Sequence, residues 1–84
     1  VKIDVEGFEF QVLRGLTKTL NKHKPRIIFE YDDNYWRNNG QNITDCYAFL
    51  QEIGYSIYQV SSVGCELLKT AAAAEGGNLF CIPV

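Results

Sequence analysis

Residues 1–15 read VKIDVEGFEFQVLRG and contain the change of pattern that decides the fold. Residues 1–5 alternate weakly and are rich in β-branched side chains, which is typical of a strand packed on at least one face. From Phe8 onward the apolar residues recur every three to five positions, which predicts an amphipathic helix that Pro25 ends. Gly7 permits a tight turn between the two. The stretch therefore predicts a strand that turns directly into a helix.

The predicted helix over residues 8–24 carries one apolar stripe. Glu9 lies in its first turn and three basic residues crowd its last turn, and both placements suit the helix macrodipole. A glycine inside a helix costs about 1 kcal/mol relative to alanine. Gly15 therefore predicts a close approach of this helix to the sheet. The predicted stripe consists of Phe8, Val12, Leu13, Leu16 and Leu20.

The rest of the chain predicts further strands and helices packed on a sheet. Strand, helix and strand within about thirty residues form a βαβ unit, in which the two strands are parallel and joined by a right-handed crossover. Pro83 cannot donate to a ladder, so its end of the last strand is expected at an edge or near the exit from the sheet. The predicted segments are strands over residues 26–31, 55–60 and 78–84, a polar loop over 32–41, a helix from a cap at Asn42 or Thr44 to Gly54, a short strand over 65–69, and a helical turn or mobile loop over 70–75.

Composition limits the classes of function. The 84 residues are enough for one small domain. A net charge of -2 argues against a nucleic-acid binder, and no apolar run approaches the roughly 18 residues of a membrane span. Cys46, Cys65 and Cys81 lack the spacing of a zinc site. We interpret them as core residues of a protein in a reducing, cytoplasmic setting, with no metal ligands assigned.

Asp4 and Glu6 are the candidate catalytic residues. They stand at the carboxyl end of a predicted parallel strand, where ligands bind in open α/β sheets. The two-residue spacing places both carboxylates on one side if the strand continues through Glu6. One of them could take a proton from a bound hydroxyl group while the other orients it, provided that burial raises one pKa. The alternative is that Glu6 caps the helix and Asp4 is a solvated strand end.

The neighbouring strand supplies the candidate substrate-binding residues Glu30, Asp32, Tyr35 and Trp36. Glu30 must face a partner or the cleft, because an unpaired buried carboxylate is costly. Asp32, with Asp33 and Asn34, follows the strand and is expected near Asp4, where oxygen ligands could also hold magnesium. A turn that uses its usual residues is the better explanation. The rings of Tyr35 and Trp36 could form a wall that receives the substrate, or pack the loop onto the body.

The stretch KIDVEGFEFQVLRG resembles the signature of the FkbM-type S-adenosylmethionine-dependent methyltransferases, an apolar-Lys-apolar-Asp-apolar-Glu-Gly-x-Glu stretch followed by Val-Leu-x-Gly. KPRIIFEY is similar to the next strand of that family with its acidic residue, Glu30. FLQEIGY is similar to the following helix, and NLFCIPV is similar to the antiparallel last strand. The matching residues of the signature are Lys2, Asp4, Glu6, Gly7, Glu9, Val12, Leu13 and Gly15.

The resemblance implies an α/β fold with a partial Rossmann-like methyltransferase sheet, in which parallel strands are joined by a final antiparallel strand. The glycine-rich loop and the ribose-binding acidic residue of such domains are absent, so we expect residues 1–84 to be the C-terminal part of a class I methyltransferase domain. Cofactor-binding residues in this chain are unknown, and S-adenosylmethionine is the expected cofactor of the full-length domain. Residues 1–5 would then form an exposed edge strand that permits self-association.

The resemblance further implies transfer of a methyl group to a hydroxyl oxygen of a small-molecule acceptor, such as a saccharide. The isolated chain is expected to be inactive. Two alternatives remain open. The chain could be an α/β module for binding or assembly without catalysis, or it could bind a divalent metal ion or a phosphate metabolite at the ends of its strands.

Overall fold

A five-stranded mixed sheet organises the chain, with four helices packed on it. The computed structural model describes all of residues 1–84. No helix in it is long and apolar enough to cross a bilayer. In chain order, the elements are β1 (Lys2–Ile3), α1 (Glu9–Gly15), α2 (Thr17–His23), β2 (Ile27–Tyr31), α3 (Asp33–Asn38), α4 (Ile43–Ile53), β3 (Tyr55–Ser61), β4 (Gly64–Leu67), a 3₁₀ turn (Ala71–Ala73) and β5 (Gly77–Pro83).

The strands lie in the order β1-β2-β5-β3-β4. β1 pairs with β2 in parallel, which confirms the predicted parallel pairing. β5 inserts between β2 and β3 and runs antiparallel to both, as expected for the last strand. Pro83 is the final residue of this central strand and lies beyond the last pair with β2, Ile27 with Cys81, so the ladder needs no donor from it there. β1–β2 is the one parallel pair, because β5 separates β2 from β3 and the hairpin of β3 and β4 is antiparallel.

The predicted single helix over residues 8–24 is two helices of 7 residues each. The break lies at Leu16, whose φ of -98° and ψ of 12° depart from helical values. The Thr17 hydroxyl donates to the Arg14 carbonyl at 2.6 Å, a local bond of the kind that bends helices. Gly15 ends α1, and a Cβ atom there would meet no atom within 4 Å. The predicted close approach at Gly15 is therefore wrong.

The segment predicted as a polar loop contains the short helix α3. Asp32 caps it, since its side chain accepts a hydrogen bond from the Tyr35 amide at 3.1 Å. The helix α4 follows the prediction more closely. Asn42 is its cap and accepts from the Asp45 amide at 2.8 Å, and Gly54 ends it in the left-handed conformation.

The core lies between the helices and one face of the sheet. Alternate residues of β2, including Ile27 and Phe29, are buried in a cluster to which all four helices contribute. The residues between them face the other side, where Ile28 pairs with Phe80 and both are half-exposed. Cys46 and Cys81 are buried as predicted, whereas Cys65 is exposed because it lies on the outer strand β4.

Candidate functional site

A left-handed turn joins β1 to α1 and carries the candidate catalytic residues. The strand ends at Ile3 rather than continuing through Glu6. Glu6 has a φ of 46° and Gly7 has a φ of 101°. A Cβ atom at Gly7 would lie 2.9 Å from the backbone oxygen of Tyr35. Glycine is therefore required at position 7 by its conformation and by the contact with α3.

The carboxylate of Glu9 holds this turn. Oε2 accepts from the Val5 amide at 3.0 Å, and Oε1 accepts from the Gly7 amide at 2.8 Å. Oε1 also accepts from the indole Nε1 of Trp36 at 3.1 Å. Glu9, which is 1% exposed, thus satisfies the amides before α1. The alternative that Glu6 caps the helix is wrong, because no side chain caps α1. Glu9 instead binds the amides of the turn before the helix.

Asp4 and Glu6 line one small cleft at the carboxyl ends of β1 and β2. Its volume is about 200 Å³. The turn brings the two side chains to this cleft although they do not share a strand. Five of the seven lining residues are acidic, so the site has a negative character. The lining residues are Asp4, Glu6, Gly7, Glu9, Glu30, Asp32 and Tyr35.

Asp4 and Glu30 form a pair of carboxyl groups in this cleft. Ile3 pairs with Phe29 in the parallel ladder, and one further step along each strand places Asp4 beside Glu30. A hydrogen bond with Asp4 and the repulsion from its charge raise the pKa of Glu30 above its ordinary value of 4.5. Burial contributes less to this shift. The main cause of the raised pKa of Glu30 is thus a neighbouring carboxyl group.

The other candidate substrate-binding residues separate into two groups. Asp32 and the half-exposed ring of Tyr35 line the cleft, as expected. Trp36 does not line it, because its side chain is fully buried. Its ring stacks on Phe10 and Phe29, with centroid distances of 6.2 and 5.9 Å. The expected place of Trp36 on the wall of the cleft is therefore wrong, and the ring belongs to the core.

A larger groove, of about 720 Å³, begins on the other side of Asp32. The Tyr31 hydroxyl donates to Asp33 at 2.9 Å, and burial together with this bond raises the pKa of Tyr31 to about 12. Arg37 forms an exposed ion pair with Asp33 at 2.9 Å. The segment after β4, including the 3₁₀ turn, supplies the opposite wall. Sequence patterns gave no sign of this groove, because its walls come from distant parts of the chain.

The carboxylate acceptors in the cleft suit a positively charged or hydroxyl-bearing ligand. No group of three or more histidine, cysteine, aspartate or glutamate side chains is arranged to hold a metal ion. The acidic lining matches the positive charge of a sulfonium methyl donor, but about 200 Å³ is below the roughly 300–1,000 Å³ of ordinary ligand pockets. Hence this cleft does not enclose such a cofactor by itself, and we assign none of its residues to holding one.

The fold and the cleft define the chain as a mixed α/β protein with an acidic site at the ends of parallel strands. The family model of the methyltransferase FkbM domain matches residues 1–57, and the chain belongs to this family. The match covers the turn, Glu9, Glu30 and α3. Comparison with curated proteins and with solved structures gave no significant match.

Glu9 is the site residue whose role the sequence analysis missed. The sequence predicts for it only a favourable charge in the first turn and a place in the family signature. A signal was present, since Glu9, Leu13, Leu16 and Leu20 recur at the spacing of one helix face. The predicted stripe used Phe8 and Val12 instead, and these are 46% and 36% exposed. A charged residue in register with buried leucines indicates a buried carboxylate with dedicated donors.

Proposed function

We propose that this chain forms the acceptor side of an S-adenosylmethionine-dependent methyltransferase, as the C-terminal part of a Rossmann-like class I domain. The acceptor is a small molecule with a hydroxyl group, such as a saccharide. The paired carboxyl groups of Asp4 and Glu30 at the strand ends carry this proposal, because methyl transfer to a hydroxyl oxygen requires a group that takes the proton. Membership of the FkbM family supports it independently.

The Asp4–Glu30 pair takes the proton of the acceptor hydroxyl in this proposal. The raised pKa of Glu30 lies closer to neutral pH, and a carboxylate base with such a pKa transfers protons more effectively. Glu6 orients the acceptor, and Asp32 and Tyr35 bind its remaining polar groups and its ring face. When bound, the methyl donor supplies an electrophilic methyl group.

Calorimetric titration of S-adenosylmethionine tests the proposal in two proteins, the 84-residue chain and a form extended upstream by the length of the missing half-domain. We expect binding to the extended form only. In methyl-transfer assays with hydroxyl acceptors, Asp4→Asn should lower kcat by about 100-fold or more, the usual contribution of a general base. Asp45→Asn is the matched control, since Asp45 is exposed on α4 and lines no cavity.

Failure of both proteins to bind S-adenosylmethionine would contradict the methyltransferase proposal and favour a binding or assembly module without catalysis. Equal activity of Asp4→Asn and the unmodified extended protein would instead remove Asp4 from the chemistry while leaving the reaction class intact.

A further inference from the structure

Glu9 is the most deeply buried charged side chain of the chain, and the proton-transfer chemistry proposed above does not use it. We propose that Glu9 is a positioning residue, whose carboxylate sets the places of Asp4 and Glu6 in the cleft. Its importance for catalysis rests on the proposed function, whereas its effect on the turn does not.

Glu9 contacts the turn between β1 and α1 on both sides of Glu6. Val5 lies between Asp4 and Glu6, and its amide donates to Oε2 at 3.0 Å. Gly7 follows Glu6, and its amide donates to Oε1 at 2.8 Å. The residues on both sides of Glu6 are therefore fixed to one carboxylate. Glu6 itself has a φ of 46°, a backbone conformation that residues other than glycine rarely adopt. The two bonds hold the backbone in this conformation.

The third contact ties the turn to the core. The Trp36 indole donates to Oε1 at 3.1 Å, and its ring is fully buried against Phe10 and Phe29. Trp36 also lies on α3, next to Tyr35 on the wall of the cleft. Glu9 thus links the turn to the buried Trp36 ring, and Trp36 lies on the helix that carries the opposite wall of the cleft.

The site requires a carboxylate rather than an amide. Three donors converge on the two oxygens of Glu9, and hydrogen bonds to an ionised acceptor are about twice as strong as neutral ones. A glutamine side chain has one acceptor oxygen, and its NH₂ group would face an N–H donor. Glu9→Gln therefore keeps the size of the side chain and breaks at least one of the three contacts.

The test compares Glu9→Gln with Glu52→Gln, a matched change at an exposed position of α4. In NMR spectra of the 84-residue chain, we expect Glu9→Gln to speed hydrogen exchange of the Val5 or Gly7 amide by about tenfold or more, as for loss of a bond to a charged group. The indole signal of the single tryptophan should shift. The titration midpoint of Glu30 should also change, because Asp4 moves relative to it. Glu52→Gln should leave all three unchanged.

In the extended protein, Glu9→Gln should lower kcat by about 100-fold, the effect of misplacing catalytic groups by about 1 Å, with little change in KM for the methyl donor. A variant that stays folded with unchanged amide exchange and Glu30 titration would overturn the inference. If Glu9→Gln fails to fold, couplings across the hydrogen bonds from the Val5 and Gly7 nitrogens to the Glu9 carboxylate carbon decide it in the unmodified chain, and their absence would overturn it.

The test separates failure of the proposed function from failure of the positioning role of Glu9. An extended protein without methyl transfer would contradict the proposed function. Altered exchange at the turn and an altered Glu30 titration in Glu9→Gln would still support the control of Asp4 and Glu6 by Glu9.

Discussion

The carboxyl pair of Asp4 and Glu30 shows how a single residue acquires its chemistry from a neighbour on another strand. Glu30 is exposed, so burial cannot dominate its pKa, and the nearby Asp4 carboxyl group is the larger cause. Removing the charge of Asp4 should therefore change the titration of Glu30 more than any change in packing.

We predict that Asp4→Asn moves the pKa of Glu30 back toward 4.5. Carbon-13 NMR titration of the Glu30 carboxyl group measures this, with Asp45→Asn as the control. The raised pKa means that the folded chain holds this proton more tightly than the unfolded chain does. Its contribution to stability is thus full below about pH 4.5 and is lost as the pH rises through the folded value. An unchanged Glu30 midpoint in Asp4→Asn would show that the two groups do not interact.

At the scale of elements, two glycines near α1 have opposite roles. Gly7 precedes the helix with a φ of 101° and touches α3, while Gly15 ends the helix in open space. The first is required by the tertiary structure. The second is a position where glycine only loosens the helix.

These two positions give a matched pair of alanine substitutions. Gly15→Ala should raise the free energy of unfolding by about 0.4–1 kcal/mol, because alanine restricts the unfolded chain and meets no atom in the fold. Gly7→Ala should lower it by at least about 1–3 kcal/mol, through backbone strain and the contact with Tyr35. Urea unfolding at constant m-value measures both. Similar effects of the two substitutions would show that the turn is not held against α3.

At the scale of the whole molecule, β1 leaves one edge of the sheet open. The Val1 amino group donates to the carbonyl of Arg26, just before β2, and the Val1 carbonyl accepts from the Ile28 amide of β2. Because backbone groups alternate along a strand, those of Lys2 point to the free edge. The other sheet face is also only half-covered, at residues such as Ile28 and Phe80. An open edge of this kind is a template for pairing with another strand.

We therefore predict that the 84-residue chain self-associates through β1. Lys2→Pro should weaken this association, because it removes the edge N–H donor. Lys2→Ala keeps the donor and removes only a charge, so it should associate at least as strongly as the unmodified chain. Sedimentation velocity over a range of concentrations measures both. A monomer at all concentrations, or equal behaviour of the two variants, would contradict pairing at this edge.

The features that the sequence predicted correctly depend on neighbouring residues. β-branched alternation followed by Gly7 predicted the strand and the turn, and the caps Asn42 and Gly54 bounded α4. The parallel pairing of β1 with β2 followed from the short crossover between them. The resemblance of the turn to the FkbM signature identified the family. In each case, a local pattern or a short connection leaves few alternatives.

The features that only the tertiary structure decided depend on residues far apart in the chain. Trp36 and Glu9 are 27 positions apart, yet their hydrogen bond places one ring in the core and one carboxylate beneath the turn. The register of β1 on β2 brings Asp4 to Glu30, and the burial of Trp36 packs α3 onto the core. Local patterns do not predict such contacts, because the free energy of burying Glu9 depends on donors that other elements supply.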